Sequence, residues 1–205
     1  MHAHTLILDG FLGRPWRWER LRRMVEQRCG SASIFHYDWT GRLTLQQLGE
    51  HLADEVAKHP NGVNLVGFSM GGIVIRAARH VAPDLNVRKT VFLNSPHRGT
   101  WLACLIPTPG VRQMRPFDPF LKTIGEKPWN GDTLTVWSGI DGIIIPGKNT
   151  RFDSGRHVKC KIPLHIWPVW SRGIHRDIVE FLAADRPKDV VAICPSKLSA
   201  LTSPG

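Results

Sequence analysis

Short apolar runs alternate along this chain with stretches of helical periodicity, and that alternation predicts its elements. Thr5 to Leu8 form an apolar run closed by Asp9-Gly10, which reads as a buried strand and a turn. Residues 14–28 set Trp18, Leu21 and Val25 at helical spacing among Arg14, Arg17, Arg20, Arg22, Arg23 and Arg28, a strongly basic amphipathic helix. Ser33 to Tyr37 predict a second strand. Leu45, Leu48, Leu52 and Val56 predict a helix that stops before the turn residues Pro60-Asn61-Gly62. Val63 to Phe68 are too few for a buried helix and read as a strand running into a helix over 70–81. Val87 to Leu93 are another strand. Thr133 to Trp137 are the next, and Val158, Cys160, Ile162 and Leu164 alternate with polar residues as a last strand that leaves His165 just past its end. Ile174, Ile178, Phe181 and Leu182 mark the closing helix.

Strands alternating with helices predict an α/β fold with a mostly parallel sheet of about six strands flanked by helices. Residues 1–185 form one domain on this reading, and 186–205, rich in Pro, Ser and Thr, a surface tail. The stretch 100–132 departs from the pattern. Its prolines exclude a long helix, yet its many apolar residues argue against disorder, so it predicts a lid or pocket wall of short helices.

Length changes this picture little: 205 residues and 23.1 kDa suit one self-sufficient core. The charge matters more. A net charge of +10 favours anionic surfaces, but the cations are spread without a long block, so no nucleic-acid partner is expected. The basic helix over 14–28 reads first as a solvated helix packed on the sheet, and second as a weak contact with an anionic membrane surface. Cys29, Cys104, Cys160 and Cys194 lie far apart with no metal-ligand spacing, which reads as unpaired thiols in a reducing compartment. The first apolar run lacks the features of a signal peptide, and no stretch approaches the ~20 apolar residues of a membrane span. A cytoplasmic setting is the expectation.

The candidate chemistry centres on Gly67-Phe68-Ser69-Met70-Gly71, a Gly-x-Ser-x-Gly pattern between a strand and a helix. In that setting the chain turns so sharply that the glycines make room for it, and the serine hydroxyl is lifted clear of the sheet. The Met70 N–H then sits at a helix N-terminus, where it can stabilise an oxyanion. Serine is a poor nucleophile alone and needs an imidazole held by a carboxylate. Asp141, in the turn Gly139-Ile140-Asp141-Gly142 directly after a strand, is the expected acid. His165 is the expected base, with His175 as the alternative. The second oxyanion donor is expected from the loop after the first strand, at Phe11 N–H, with Leu12 the near alternative. His97 is expected to shape the pocket. Gly10-Phe11, Ser69, Asp141 and His165 follow strand ends, where active groups of parallel sheets collect.

Taken together, these residues resemble the α/β-hydrolase superfamily, and within it the small bacterial triacylglycerol lipase and esterase group, over residues 5–184. Leu8-Asp9-Gly10-Phe11-Leu12-Gly13 resembles the oxyanion loop, with Asp9 where the family usually has histidine. Ser95-Pro96-His97-Arg98-Gly99-Thr100 is similar to the family's Thr-Pro-His-Arg-Gly-Ser segment. Arg112-Gln113-Met114-Arg115-Pro116 with Phe120-Leu121 resembles the stretch that walls the acyl pocket, and Asp141-Gly142-Ile143-Ile144-Ile145-Pro146 the acid loop. His165, with Ser171 and Phe181-Leu182 behind it, resembles the catalytic histidine and closing helix. The resemblance implies the α/β-hydrolase fold and a cofactor-free Ser69/Asp141/His165 hydrolase of small-molecule acyl esters, working through an acyl-enzyme. Acyl transfer or thioester hydrolysis would use the same residues. A non-catalytic relative that binds a partner or an anionic membrane is the reading from a different class.

Overall fold

The computed structural model describes residues 3–126, 129, 131–160 and 162–184; the tail expected over 186–205 lies outside them. Six strands form one sheet: β1 (His4–Leu8), β2 (Ala32–Ile34), β3 (Val63–Phe68), β4 (Val87–Leu93), β5 (Asp132–Ser138) and β6 (Arg156–Cys160). Their order is β2-β1-β3-β4-β5-β6, and every neighbouring pair is parallel. Parallel strands need crossovers that return over the sheet, so both faces are covered by helices. β3, in the middle of the sheet, is buried along its whole length, Asn64 included, as its mainly apolar sequence requires.

One face carries α2 (Leu45–Ala57) and α3 (Met70–Val81). Leu48, Leu52, Ile73 and Ala77 belong to one buried cluster there with Leu65 and Phe92. Thr44 caps α2 through a reciprocal box: its hydroxyl accepts from the Gln47 N–H, and the Gln47 side chain accepts from the Thr44 N–H. The other face carries α1 (Glu19–Cys29) and α7 (Arg172–Ala183) over Ile7, Val66, Val91 and Val136. Trp18, Leu21 and Val25, the apolar stripe of the basic helix, are fully buried in that layer. The stripe is therefore used by the core and is not free to enter a bilayer. Among α1's charges, Glu19 and Glu26 pair with Arg22, and Glu19 also pairs with Arg23.

The segment after β4 folds as short helices: a 3-10 turn at Trp101–Leu105, α4 (Pro109–Arg112) and α5 (Pro119–Glu126). It is built into the body. Ala103, Val111, Met114, Leu121 and Ile124 are buried in the cluster that contains α2 and α3, and the Gln113 side chain accepts from the Leu45 N–H at 2.5 Å. α6 (Trp167–Trp170) precedes α7.

Three expectations shift. Helix start 14–18 is a 3-10 turn, Pro15–Trp18, because proline fixes an N-terminal position. β2 stops at Ile34 rather than Tyr37; beyond it Tyr37 turns inward to donate its hydroxyl to the Asp9 carbonyl. β6 ends at Cys160, before Pro163, which cannot donate to a ladder, so His165 stands on a loop rather than at the strand tip.

α2 and α3 meet where Gly49 lies against the chain at Ala77 and Ala78. A Cβ there would fall 2.7 Å from the Ala77 carbonyl carbon and the Ala78 nitrogen. Gly49→Val should push the helices apart and cost about 2 kcal/mol, a fall in Tm of about 4–8 °C. Calorimetry checks it, and an unchanged Tm would show that this crossing is not tight.

Candidate active site

The corner between β3 and α3 is where backbone geometry and chemistry meet. Ser69 has φ 51° and ψ −121°, a left-handed conformation rare for a residue with a side chain. Such a position costs about 1–3 kcal/mol and persists only where its surroundings hold it. They do. The Ser69 N–H donates to the Leu93 carbonyl at 2.9 Å, and the Ser69 carbonyl accepts from the Gly72 N–H at 3.1 Å. The flanking glycines make the fit possible: a Cβ on Gly67 would lie 2.7 Å from Gly72 Cα, and one on Gly71 would lie 2.6 Å from the Asp9 carbonyl oxygen.

Two more strand ends converge here. After β5, Asp141 is buried, and its carboxylate receives His165 Nδ1 at 2.8 and 2.9 Å. The Ile143 and Ile144 N–H groups donate to the same carboxylate at 3.1 and 2.7 Å. The imidazole lies against Phe68, next to the serine, with ring centroids 4.9 Å apart. Asn94, at the end of β4, fixes the loop by donating from Nδ2 to the His165 carbonyl at 3.0 Å. Thus β3, β4 and β5 each contribute one part.

The loop after β1 closes the far side. Gly10 approaches Ser69 so closely that a Cβ on it would stand 2.9 Å from Ser69 Cβ. The Leu12 N–H is already given to the Trp39 carbonyl at 2.9 Å, which removes it as an oxyanion donor and favours Phe11. Asp9, fully buried, organises this loop. Its carboxylate accepts from the Gly10 N–H at 2.8 Å, the Arg14 N–H at 2.6 Å and Arg17 Nη2 at 2.9 and 3.1 Å.

Other histidines are elsewhere. His175 is fully buried on α7 beside Trp18; Trp18 itself packs on Phe68, so a tryptophan stands between His175 and the serine corner. Burial and then the Arg20 charge lower its pKa to about 4, against a small pull from the Val169 and Pro168 carbonyls. His97 is packed between Phe92 and Phe152. Burial, followed by Arg76 and Arg98, holds it well below the ordinary histidine range. Its carbonyl accepts from Arg76 Nη1 at 3.0 Å, and Arg76 Nη2 also reaches the Ile124 carbonyl at 2.8 Å. His97 is thus buried in an aromatic cluster, with its carbonyl held by Arg76.

Sequence reasoning missed several supports. Thr100 Oγ1 donates to the Ile143 carbonyl and accepts from the Ile145 N–H, so the segment after β4 holds the acid loop. Asn149 Nδ2 ties the Arg98 and Gly99 carbonyls to the same loop. Arg17 carried no signal because it reads as one of six helix cations; only an acidic residue at position 9 hints at a partner. Among the described residues no cluster of His, Cys, Asp and Glu could hold a metal ion.

With this geometry in view, the likenesses to known proteins are informative. A family described as palmitoyl protein thioesterase matches residues 30–118. The lysosomal thioesterase PPT2 homolog of Drosophila melanogaster is 25% identical over 132 residues, 60% of this chain and 46% of that protein. Human lysosomal thioesterase PPT2 is 27% identical over 117 residues, 51% of this chain and 39% of that protein. The chain thus spans less than half the length of these curated relatives. Among solved structures, Aspergillus fumigatus lipase B superposes with TM-score 0.74 at 16% identity, over 92% of this chain and 54% of that one. The mature Bacillus licheniformis lipase BlEst2 gives 0.69 at 17%, over 87% and 92%. The fold is that of the α/β-hydrolases. Within that fold this chain carries a Gly-x-Ser-x-Gly corner, an acid–imidazole pair and a glycine loop.

Two outcomes follow from the buried charges. Arg17→Met strands the Asp9 carboxylate and should cost about 3 kcal/mol, or about 6–12 °C of Tm; adding Asp9→Asn should restore part of it, and an unchanged Tm in Arg17→Met would deny the pair any weight. His175 has a folded pKa below its unfolded value, so the unfolded chain binds the extra proton first. Its contribution to stability is full above pH ~6.5 and is lost as pH falls toward about 4. Denaturant titrations should show a shallower acid decline in His175→Leu than in the parent.

Proposed function

We propose that this protein is a serine hydrolase that cleaves carboxylic esters through an acyl-enzyme on Ser69. The observation that carries the proposal is the Asp141–His165 pair, packed on Phe68 beside a serine held in a left-handed corner. His165 Nδ1–H donates to Asp141, which fixes the tautomer and leaves Nε2 as the base. The base takes the Ser69 proton as Oγ attacks the substrate carbonyl. The oxyanion is received by the Met70 and Phe11 N–H groups, each worth ~3 kcal/mol in the transition state. His165 then protonates the leaving group, and water, activated by the same imidazole, releases the acid.

Thioester hydrolysis is the second reading, favoured by the thioesterase family match over residues 30–118 and by the two thioesterase relatives. It uses the same groups and differs in the leaving atom. Among the described residues Cys29, Cys104 and Cys160 are unpaired, Cys194 lying outside them, and a reducing, cytoplasmic setting is part of this proposal.

An active-site fluorophosphonate should label the wild type and leave Ser69→Ala silent; labelling that persists in Ser69→Ala would refute the nucleophile. Asp141→Asn should lower kcat by about 10⁴ with Tm little changed. His165→Ala should be inactive while His175→Leu turns over p-nitrophenyl esters at close to the parental rate, and the reverse pattern would reassign the base. Running matched oxygen esters and thioesters separates the two chemistries.

A further inference from the structure

The helix that begins at Ser69 buries a cation two turns further on. Arg76, on α3, is only 6% exposed. Arginine is seldom buried to that extent unless its donors are taken up. Burial is the main force on it and lowers its pKa to about 10, with the Asp153 charge pulling up and Arg98 pushing down. Asp153 makes no ion pair with it, since that carboxylate is bound by Arg98 at 2.6 and 2.9 Å. What the guanidinium does reach is backbone. Nη1 donates to the His97 carbonyl at 3.0 Å and Nη2 to the Ile124 carbonyl, in the last turn of α5, at 2.8 Å. Nη1 also stands 3.5 Å from His97 Nδ1, and the guanidinium carbon is 5.5 Å from the centre of the Phe152 ring.

His97 lies in the middle of the segment that serves both loops of the acid–imidazole pair. Before it, Asn94 holds the His165 carbonyl; after it, Thr100 is bound to Ile143 and Ile145 of the acid loop. Asn149 holds the carbonyls of Arg98 and Gly99 between them. A chain of polar contacts thus runs from the nucleophile's helix through Arg76 to His97, and from there out to His165 and Asp141. Steric contact alone leaves this junction loose. Gly72 meets Ser95 so closely that a Cβ on it would overlap Ser95 Oγ, which sets how near the segment comes to α3. It does not set where the segment lies along the helix. Two N–H bonds from one rigid plane do, because hydrogen bonds are directional and the guanidinium fork is fixed.

We propose that Arg76 is a positioning residue for the reaction: its fork holds the segment 94–100 in place along α3 and so registers the Asp141–His165 pair on Ser69. It acts through backbone and touches no reacting atom. The proposal deepens the ester-hydrolase reading and rests on it.

The test is Arg76→Lys in the full chain, which keeps the charge but cannot serve both carbonyls from one plane. Turnover of a soluble short p-nitrophenyl ester is measured per serine titrated with the fluorophosphonate, so that misfolded chains drop out of the count. The kcat per titrated site should fall between about tenfold and about a hundredfold, the loss expected for a misplacement of up to about 1 Å, with KM little changed. A residue that only stabilised the fold would lower the number of titrated sites and leave turnover per site at the parental value. A second readout is independent of turnover. The His165 Nδ1–H proton on Asp141 should give a downfield proton resonance that His165→Ala removes, and Arg76→Lys should shift or broaden it. If Arg76→Lys fails to fold, Phe152→Leu, which takes away the ring beneath the guanidinium and leaves the fork, should produce both changes at smaller size. Parental turnover per site, or a parental resonance, in the folded variant would overturn the proposal. A parent that the fluorophosphonate leaves unlabelled, with the resonance still displaced in the variant, would sink the hydrolase reading and leave Arg76 as the residue that registers the pair.

Discussion

A single backbone corner constrains everything around it. Ser69 at φ 51° is tolerable only if β3 ends, α3 begins, and neither neighbour brings a Cβ into the turn. The strain is of the order of 1–3 kcal/mol, small against the buried layer on either side of the sheet but localised on one residue. The Ser69 N–H bond to Leu93 and the return bond from Gly72 close it. Once the corner exists, the hydroxyl must leave the plane of the sheet, and α3 must present the Met70 N–H at its start. Chemistry at this position is a consequence of how a parallel sheet hands its central strand to a helix.

Around the corner, support comes from polar groups that reach across long separations. Asn94 holds the His165 loop, Thr100 and Asn149 hold the acid loop, and Asp9 with Arg17 holds the loop after β1. Each is a buried or nearly buried group whose partner is a backbone atom or a single opposite charge. Such networks are costly when half made, so they specify one arrangement rather than add much stability. Asp9 illustrates this. Its carboxylate takes the Arg17 guanidinium on one side, and the Gly10 and Arg14 N–H groups that donate to it pin the backbone on either side of Phe11.

Legibility in the sequence followed the range of the interactions. Helix Met70–Val81 and strand Val87–Leu93 have the bounds that periodicity predicts, because burial on a regular element repeats every few residues. Asp141 and His165, read as a pair from the strand ends they follow, do meet, although His165 stands on a loop beyond β6. Local pattern failed where a distant partner decided the outcome. Tyr37 continues an alternating run, yet it leaves the sheet for the Asp9 carbonyl, 28 positions away in sequence. Ile162 and Leu164 continue the β6 alternation, yet they fall beyond its end and are exposed. The stripe Trp18, Leu21 and Val25 was read correctly as core, while the aromatic residues left in solvent could not be told from buried ones by type.

The sequence likeness and the structure speak for different halves of the site. The matched thioesterase segment, residues 30–118, contains Ser69, Asn94, His97 and the wall to Phe117, but neither the loop around Phe11 nor Asp141 or His165. The geometry supplies those missing parts, since Asp141 and His165 meet at hydrogen-bond distance and Gly10 abuts Ser69. The buried Asp141 carboxylate is satisfied by three donors, His165 Nδ1 and the Ile143 and Ile144 N–H groups, as burial of a charge requires. On the proposed hydrolase reading, oxygen and sulfur leaving groups would be told apart by the side chains that reach that atom, and Met114 and Leu121 of the segment after β4 are taken up by the core instead.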